Sequence, residues 1–585
     1  ALSGNTSGAA NNAFGYQAMA ANTTGSSNVG IGNSALKTNT TGNANVAIGR
    51  KALEANTTAS SNTAVGYNAM AVNTTGTKNV AIGQEALDAN TTADNNVAVG
   101  CVALGANTTG AQNTAVGAES LEANTTGSDN AALGYRALEA NTTGSQNVAV
   151  GRVSLGTNST GNNNTALGYY ALSESSTAHD NTAVGMRALK VNTTGTSNTG
   201  IGNSALAANT TGDYNTSVGS LALDSATTAD QNTAIGYLAL QAATTGGSNV
   251  AVGSLSLKSV TTGVCNTAVG RDALEANTSS NMTAVGFKAL EANTTGTTNT
   301  ALGYATLQVN TTGGSNTAIG YQALTANTTT SSNVAVGDRV LVANTASNNT
   351  AVGTFTMQAN TTGTANVAIG YNALNDNTTA SWNTAVGYNA LSANTTGEYA
   401  VAIGRQALSS NTTGTRNVAM GNEALENNTT GNYNTAIGYK ALEDNNADYN
   451  VAIGYQALQV NTGSYNTAVG SVALDANTTG SKNVGMGWHA LSVNTTGSNN
   501  VAIGGEALDA NTTGGYNIAI GQNSLSVNTT GNYNVAIGQD ALANSAAHDN
   551  VAIGRAAMVA NTTGTMNVAV GAYAFDAHST GNANT

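Results

Sequence analysis

The feature that most constrains this chain is a glycine that returns every 17 residues. It stands at Gly15, Gly32, Gly49, Gly66 and onward to Gly554 and Gly571, which makes 34 glycines and 33 intervals. Of these intervals 28 span 17 residues and 5 span 16. One copy reads Asn500-Val501-Ala502-Ile503-Gly504-Gly505-Glu506-Ala507-Leu508-Asp509-Ala510-Asn511-Thr512-Thr513-Gly514-Gly515-Tyr516, and the next begins at Asn517. We number its positions as columns 1 to 17, so that Gly504 is column 5, Leu508 column 9 and Asn511 column 12. Self-similarity at a fixed short period means that the repeat and its neighbours form the unit of stability, whatever the chain length.

The step from the column-5 glycine to the apolar residue of column 9 is four in every copy, as from Gly100 to Leu104 or Gly353 to Met357. The five shortened copies therefore lose a residue after column 9, around Asn-Thr-Thr-Gly. Surface loops accept length changes and packed segments do not, so this stretch is expected to be an outer turn. Columns 1 to 5 read as a short strand. Column 4 is always a large apolar residue (Phe14, Ile31, Leu133, Met420), and column 3 is Ala, Gly or Ser. Columns 8 to 13 alternate too, with Leu508 and Ala510 on one face and Asp509 and Asn511 on the other, and a period of two predicts a second strand. A helical turn is the competing reading, but Asn-Thr-Thr-Gly follows too soon for a stable helix. Gly504 and Gly514 then mark corners.

The expected fold is all-β: a parallel β-solenoid, or β-roll, of about 34 coils with a 17-residue repeat and two short strands per coil. Residues 1–585 are expected to form a single continuous repeat domain. Stacked Asn side chains of column 1 can ladder along it, with Met282 and Ala400 interrupting that column. The chain opens at column 8 and ends at column 2 (Asn584-Thr585), and is expected to be an excerpt of a longer protein.

Composition narrows the function classes. Only 8% of residues are charged, the formal net charge is −13, and the 17 basic residues are scattered along the chain, with Arg50-Lys51 the one adjacent pair. Nothing here neutralises a phosphate backbone, so no nucleic-acid binding is expected. No apolar run nears the ~20 residues of a membrane span, so this segment is expected to make no membrane contact. Cys101 and Cys265 lie many coils apart and are not expected to pair.

A thin coil raises a packing question. Columns 3 and 4 are both apolar and point to opposite faces of one strand, while the coil has a single interior. Either column 4 joins Leu508 inside and an Ala stripe faces out, or Ala fills the interior and a Val/Ile stripe faces out. Both stripes exceed what monomers usually expose, so a homo-oligomer is expected.

Asn-Val-Ala-Ile-Gly in tandem, as at Asn45–Gly49, Asn366–Gly370 and Asn500–Gly504, resembles the YadA-like head repeats of trimeric autotransporter adhesins. The wider unit with Ala-Leu-x-x-Asn-Thr-Thr-Gly resembles repeat regions of bacteriophage tail fibres. The resemblance spans essentially the whole chain, and its motif is specific for architecture rather than for function. It implies a left-handed β-roll, three chains wound together, and an extracellular place on a cell surface or virion. This coil is longer than the adhesin head unit by the turn carrying Asn-Thr-Thr-Gly, and the chain has no coiled-coil stalk or membrane barrel.

No column presents a recurring nucleophile, base or metal ligand, so no catalytic, cofactor or metal site is expected. His179, His489, His548 and His578 lie in distant coils without partners at ligand spacing. Asn-Thr-Thr matches a glycosylation sequon, although Asn and Thr also satisfy turn hydrogen bonds. Tyr recurs in column 6 (Tyr16, Tyr67, Tyr135, Tyr169, Tyr371, Tyr388) and near column 17 (Tyr214, Tyr433, Tyr449, Tyr465, Tyr516, Tyr533), where it suits a surface contact with a receptor or glycan. The functional expectation is a non-enzymatic fibre, the shaft or head of a bacterial surface adhesin or a phage tail fibre. The alternative is an ice- or crystal-surface binder using column-12 Asn and column-14 Thr as outward ladders.

Overall fold

A computed structural model describes all residues, 1–585. It contains no helix. Its thirty-six strands run from β1 (Asn12–Phe14) to β36 (Val568–Val570). The chain divides into two compact units, Ala1–Thr297 with strands β1 to β17 (Thr283–Val285), and Thr298–Thr585 with strands β18 (Thr300–Leu302) to β36. Within each unit the three-residue strands are columns 2 to 4. Each pairs in parallel with the same columns of the next coil. In the second unit, for example, Val501 faces Ile518, Ala502 faces Ala519 and Ile503 faces Ile520. This is the expected parallel β-solenoid with 17-residue spacing.

The coil has one strand, not two. Columns 8 to 13 form turns, and only two shortened coils add a two-residue pairing there, between β27 (Asp444–Asn445) and β29 (Val460–Asn461). The reason is backbone conformation. Column 7 and column 9 both sit in the left-handed region, at φ 56° for Glu506 and 55° for Leu508. In a strand adjacent side chains oppose each other. Here a left-handed residue follows an ordinary one, and Ala507 and Leu508 both turn inward and are fully buried. Bulky residues seldom adopt positive φ, yet the ladder holds them. Leu508 N–H donates to the Ser524 carbonyl at 3.0 Å, and Ala510 N–H to the Ser526 carbonyl at 3.1 Å.

The interior is small and mixed. Ala502, Ala507 and Leu508 supply its apolar part, while Asn500 and Asn511 supply two amide ladders with no exposed surface. The packing question is therefore answered. Ala502 of column 3 lies inside, and Ile503 of column 4 is the exposed stripe, 37% accessible.

Column 12 is likewise inside rather than outside. The Asn511 amide donates to Asn494 Oδ1 at 2.7 Å and to the Gly514 carbonyl at 2.9 Å. The Asn500 amide reaches the same Gly514 carbonyl at 2.8 Å, tying the outer turn to the start of the strand. Ser, Thr and Asn side chains compete for backbone partners in turns, and here that tendency is built into most coils, Ala226, Ala243 and Val260 replacing the column-12 Asn in three of them. Thr512 donates its hydroxyl to the Thr529 carbonyl at 3.0 Å, and Thr513 is exposed.

The same bonds locate the missing residue of the short coils. In full coils the column-12 amide bonds a carbonyl three residues on; Asn277, Asn344, Asn445 and Asn461 bond one only two residues on. The deletion falls between columns 12 and 15, in the outer turn.

Candidate interaction surfaces

The coils together present three kinds of surface. The first is the outer face of the sheet, made by columns 2 and 4. Column 2 is Val or Thr in most coils, column 4 is Val, Ile, Leu, Met or Phe, and neither column carries a charge anywhere in the chain. Both side chains stand away from the interior, as the intermediate–buried–exposed pattern of Val501, Ala502 and Ile503 shows.

The second surface collects the charge. Columns 7 and 10 hold 18 of the 30 acidic residues. The two columns are three apart in sequence and neighbours in space. Lys288 Nζ lies 2.9 Å from Glu291, and Lys440 Nζ lies 2.8 Å from Glu443. Coil-to-coil pairs run alongside, between column-7 residues Arg136 Nε and Glu119 at 2.5 Å, and between Arg405 of column 6 and Glu423 of column 7. Glu119, Glu122 and Glu139 bring their carboxylates within 4.8 Å of one another, and Glu423, Glu426 and Glu443 do the same. A cation already serves each trio: Arg136 in the first, Lys440 in the second. The alternation in the sequence sets Asp509 of column 10 opposite Leu508 but gives no place to column 7. The opposite charges of Lys51 and Glu54, repeated at Lys288 and Glu291, were the available signal.

Six column-10 carboxyls, Asp88, Glu122, Asp224, Glu426, Asp475 and Asp509, are held above their ordinary values, chiefly because the coil partly desolvates them. In Asp475 and Asp509 one carboxylate oxygen is buried without a hydrogen-bond partner. A raised folded-state value means that the folded chain binds the proton more tightly than the unfolded one. The linked stability is fully present below the unfolded value and lost as pH rises through the folded one. The double substitution Asp475→Asn with Asp509→Asn is accordingly expected to raise the unfolding temperature at neutral pH and to leave it unchanged at about pH 3, below both values. Equal effects at the two pH values in calorimetry would contradict this account.

The third surface is aromatic. The structure separates the column-6 tyrosines of the sequence reading. Tyr16 and Tyr67 lie three coils apart and stack on no other ring, although the Arg50 guanidinium covers Tyr67 at 5.5 Å. Tyr371 and Tyr388 do meet, with ring centres 5.4 Å apart. Tyr371 and Phe355 also meet edge to face, with ring centres 6.0 Å apart. Trp382, to which the sequence assigned nothing, stacks on Tyr399 at 5.0 Å.

The remaining candidates have structural roles. The His179 and His548 rings each accept a backbone N–H from the preceding coil, at 2.9 and 3.0 Å, where other coils use Ser, Asn or Asp. The Asn511 amide nitrogen, which a glycan would require, is buried and donates two hydrogen bonds. Cys101 and Cys265 are exposed and unpaired. No helix is long and apolar enough to cross a membrane. Compared with known proteins, the chain matches no family model and no curated protein sequence.

Proposed function

We propose that this chain is the repeated structural segment of an extracellular fibre, a bacterial surface adhesin or a phage tail fibre, and that it works by mechanical display. In this reading the stacked coils hold a recognition element away from an anchor at a cell surface or virion. The repeated surface adds weak multivalent contacts to a receptor or glycan. The sheet face packs on further copies of the same chain, as a homotrimer in line with the adhesin-like repeat.

The observation that carries the reading is the charge-free sheet face. Columns 2 and 4 remain uncharged in every coil while columns 7 and 10 collect acids and bases. Solubility alone would favour the reverse for exposed positions. Each coil leaves on the order of 100 Å² of mostly aliphatic surface there, so about ten coils would supply the roughly 800 Å² per partner of a standard interface. A second copy presents the same ladder at the same coil spacing and is its natural complement.

The alternative of a crystal-surface binder using column-12 Asn and column-14 Thr keeps only its Thr row, because Asn511 and its equivalents are buried while Thr513 is exposed.

Sedimentation and light scattering of a multi-coil fragment test the oligomer. The wild-type fragment is expected to assemble. The triple variant Ile503→Lys, Ile520→Lys and Ile537→Lys is expected to give a folded monomer with unchanged β-sheet circular dichroism. A soluble, folded wild-type monomer at micromolar concentration would show that the Ile stripe simply faces water.

A further inference from the structure

In the second unit, column 17 carries an unbroken stack of planar groups from Trp382 to Tyr465. Trp382 lies on Tyr399 with planes 6° from parallel. The Arg416 guanidinium sits 5.1 Å from the Tyr399 ring centre and 5.4 Å from that of Tyr433, and it donates an N–H to the Tyr433 hydroxyl at 3.0 Å. Tyr433, Tyr449 and Tyr465 follow at 4.8 and 5.0 Å, with planes 7° and 5° apart. These separations match the ~4.8 Å between neighbouring strands.

Register explains the parallel planes. The three backbones share one conformation, φ 58°, 59° and 62°. The outer-turn deletions that shorten the coils of Tyr449 and Tyr465 leave column 17 in step. Tyr449 N–H still donates to the Asn432 carbonyl at 3.0 Å, and Tyr465 N–H to the Asp448 carbonyl at 3.2 Å. By contrast the column-6 pairs Tyr304–Tyr321 and Tyr439–Tyr455 stand 5.3 and 5.5 Å apart and tilt by 14° and 23°.

Rings stacked face to face offer solvent their edges and hydroxyls. That makes a poor platform for a sugar, which packs on an open ring face, and a good arrangement for reaction between neighbours. The three tyrosines are 42–56% exposed, so a diffusible oxidant reaches them.

We propose that Tyr433, Tyr449 and Tyr465 form an oxidative cross-linking site, where a haem peroxidase with hydrogen peroxide joins successive coils of one chain as dityrosine. Two phenols each give up one electron and the O–H proton. The two phenoxyl radicals combine in a new C–C bond between carbons ortho to the oxygens. The hydrogens on those carbons move to the oxygens and restore both aromatic rings. The two electrons and two protons reduce one hydrogen peroxide to two waters. The product is a covalent staple across the coils whose outer turns are shortest, and it depends on the stack alone, whatever the oligomeric state.

The test is brief peroxidase treatment of the full chain, denaturing electrophoresis, and mass spectrometry of peptides from the single-chain band. The first dityrosine peptides are expected to link Tyr433 to Tyr449 and Tyr449 to Tyr465. Tyr449→Phe keeps the ring and removes the phenol. It should eliminate both peptides while leaving the one that links Tyr516 to Tyr533, which stack at 5.0 Å. Three outcomes overturn the proposal: no dityrosine in the single-chain band, first coupling at the more exposed and unstacked Tyr16 or Tyr214, or a yield of the two peptides' cross-links that Tyr449→Phe does not change.

Discussion

Replacing Leu508 by aspartate is expected to open its own coil and loosen the coils on either side. Leu508 is fully buried and is the one large apolar side chain its coil places inside. Removing such a side chain costs ~2–5 kcal/mol through lost burial and the cavity left behind. An unpaired carboxylate in the same space adds a desolvation cost of several kcal/mol. The local backbone pulls the other way. At φ 55° the residue lies where Asp is better tolerated than Leu, so a loss of stability has to come from the interior. Asp509→Ala, one residue along, is expected to be neutral or slightly stabilising, because that carboxylate is partly desolvated and one oxygen lacks a partner. Hydrogen exchange across a multi-coil fragment separates the cases: protection should collapse from about one coil before Leu508→Asp to one coil after, as nearest-neighbour coupling requires. Similar small changes for both variants would mean that Leu508 does not belong to the core.

How much of this could be read beforehand depends on which physical rule governs each column. Gly504 and the Ala502–Ile503 pair announced strand and corner, because side-chain alternation and glycine's freedom act within a few residues. The outer turn was legible from the five deletions, which fall where the structure places solvent-facing backbone between columns 12 and 15. The second strand was misread because Leu508 and Glu506 adopt positive φ, which no propensity foresees for such residues; ladder bonds between coils impose it. Asn511 looked like a polar, outward residue. Its burial is sustainable only because each Asn finds its partner one coil away, as Asn511 does in Asn494, and such a partner becomes visible when columns are compared at the repeat spacing. The same comparison reveals Tyr433, Tyr449 and Tyr465 as neighbours. The pairing of columns 7 and 10 needed knowledge of the turn's curvature, which the misassigned strand concealed.

The second large effect is expected at the corner glycine. Gly504 has φ 135°, and an added Cβ would stand 2.6 Å from both the carbonyl carbon and the oxygen of Gly521 in the next coil. The obstacle is backbone, which cannot swing aside as a side chain can. The conformation alone costs a residue with a Cβ on the order of 1–3 kcal/mol, and relieving the contact must push apart neighbouring coils that Gly521 N–H otherwise joins to the Ile503 carbonyl at 2.8 Å. Gly504→Ala is therefore expected to break the ladder locally, with loss of exchange protection at Ile503 and Gly521. The adjacent Gly505 provides the control. A Cβ there would meet nothing nearer than the Trp488 carbonyl at 3.9 Å, and its φ is not in the left-handed region. Gly505→Ala is expected to be neutral, or stabilising by ~0.5 kcal/mol through reduced unfolded-state entropy. Two glycines adjacent in sequence should thus differ by several-fold in the population of the open coil. If the two variants lost protection alike, the close approach of successive corners would not be what fixes column 5 as glycine in all 34 copies.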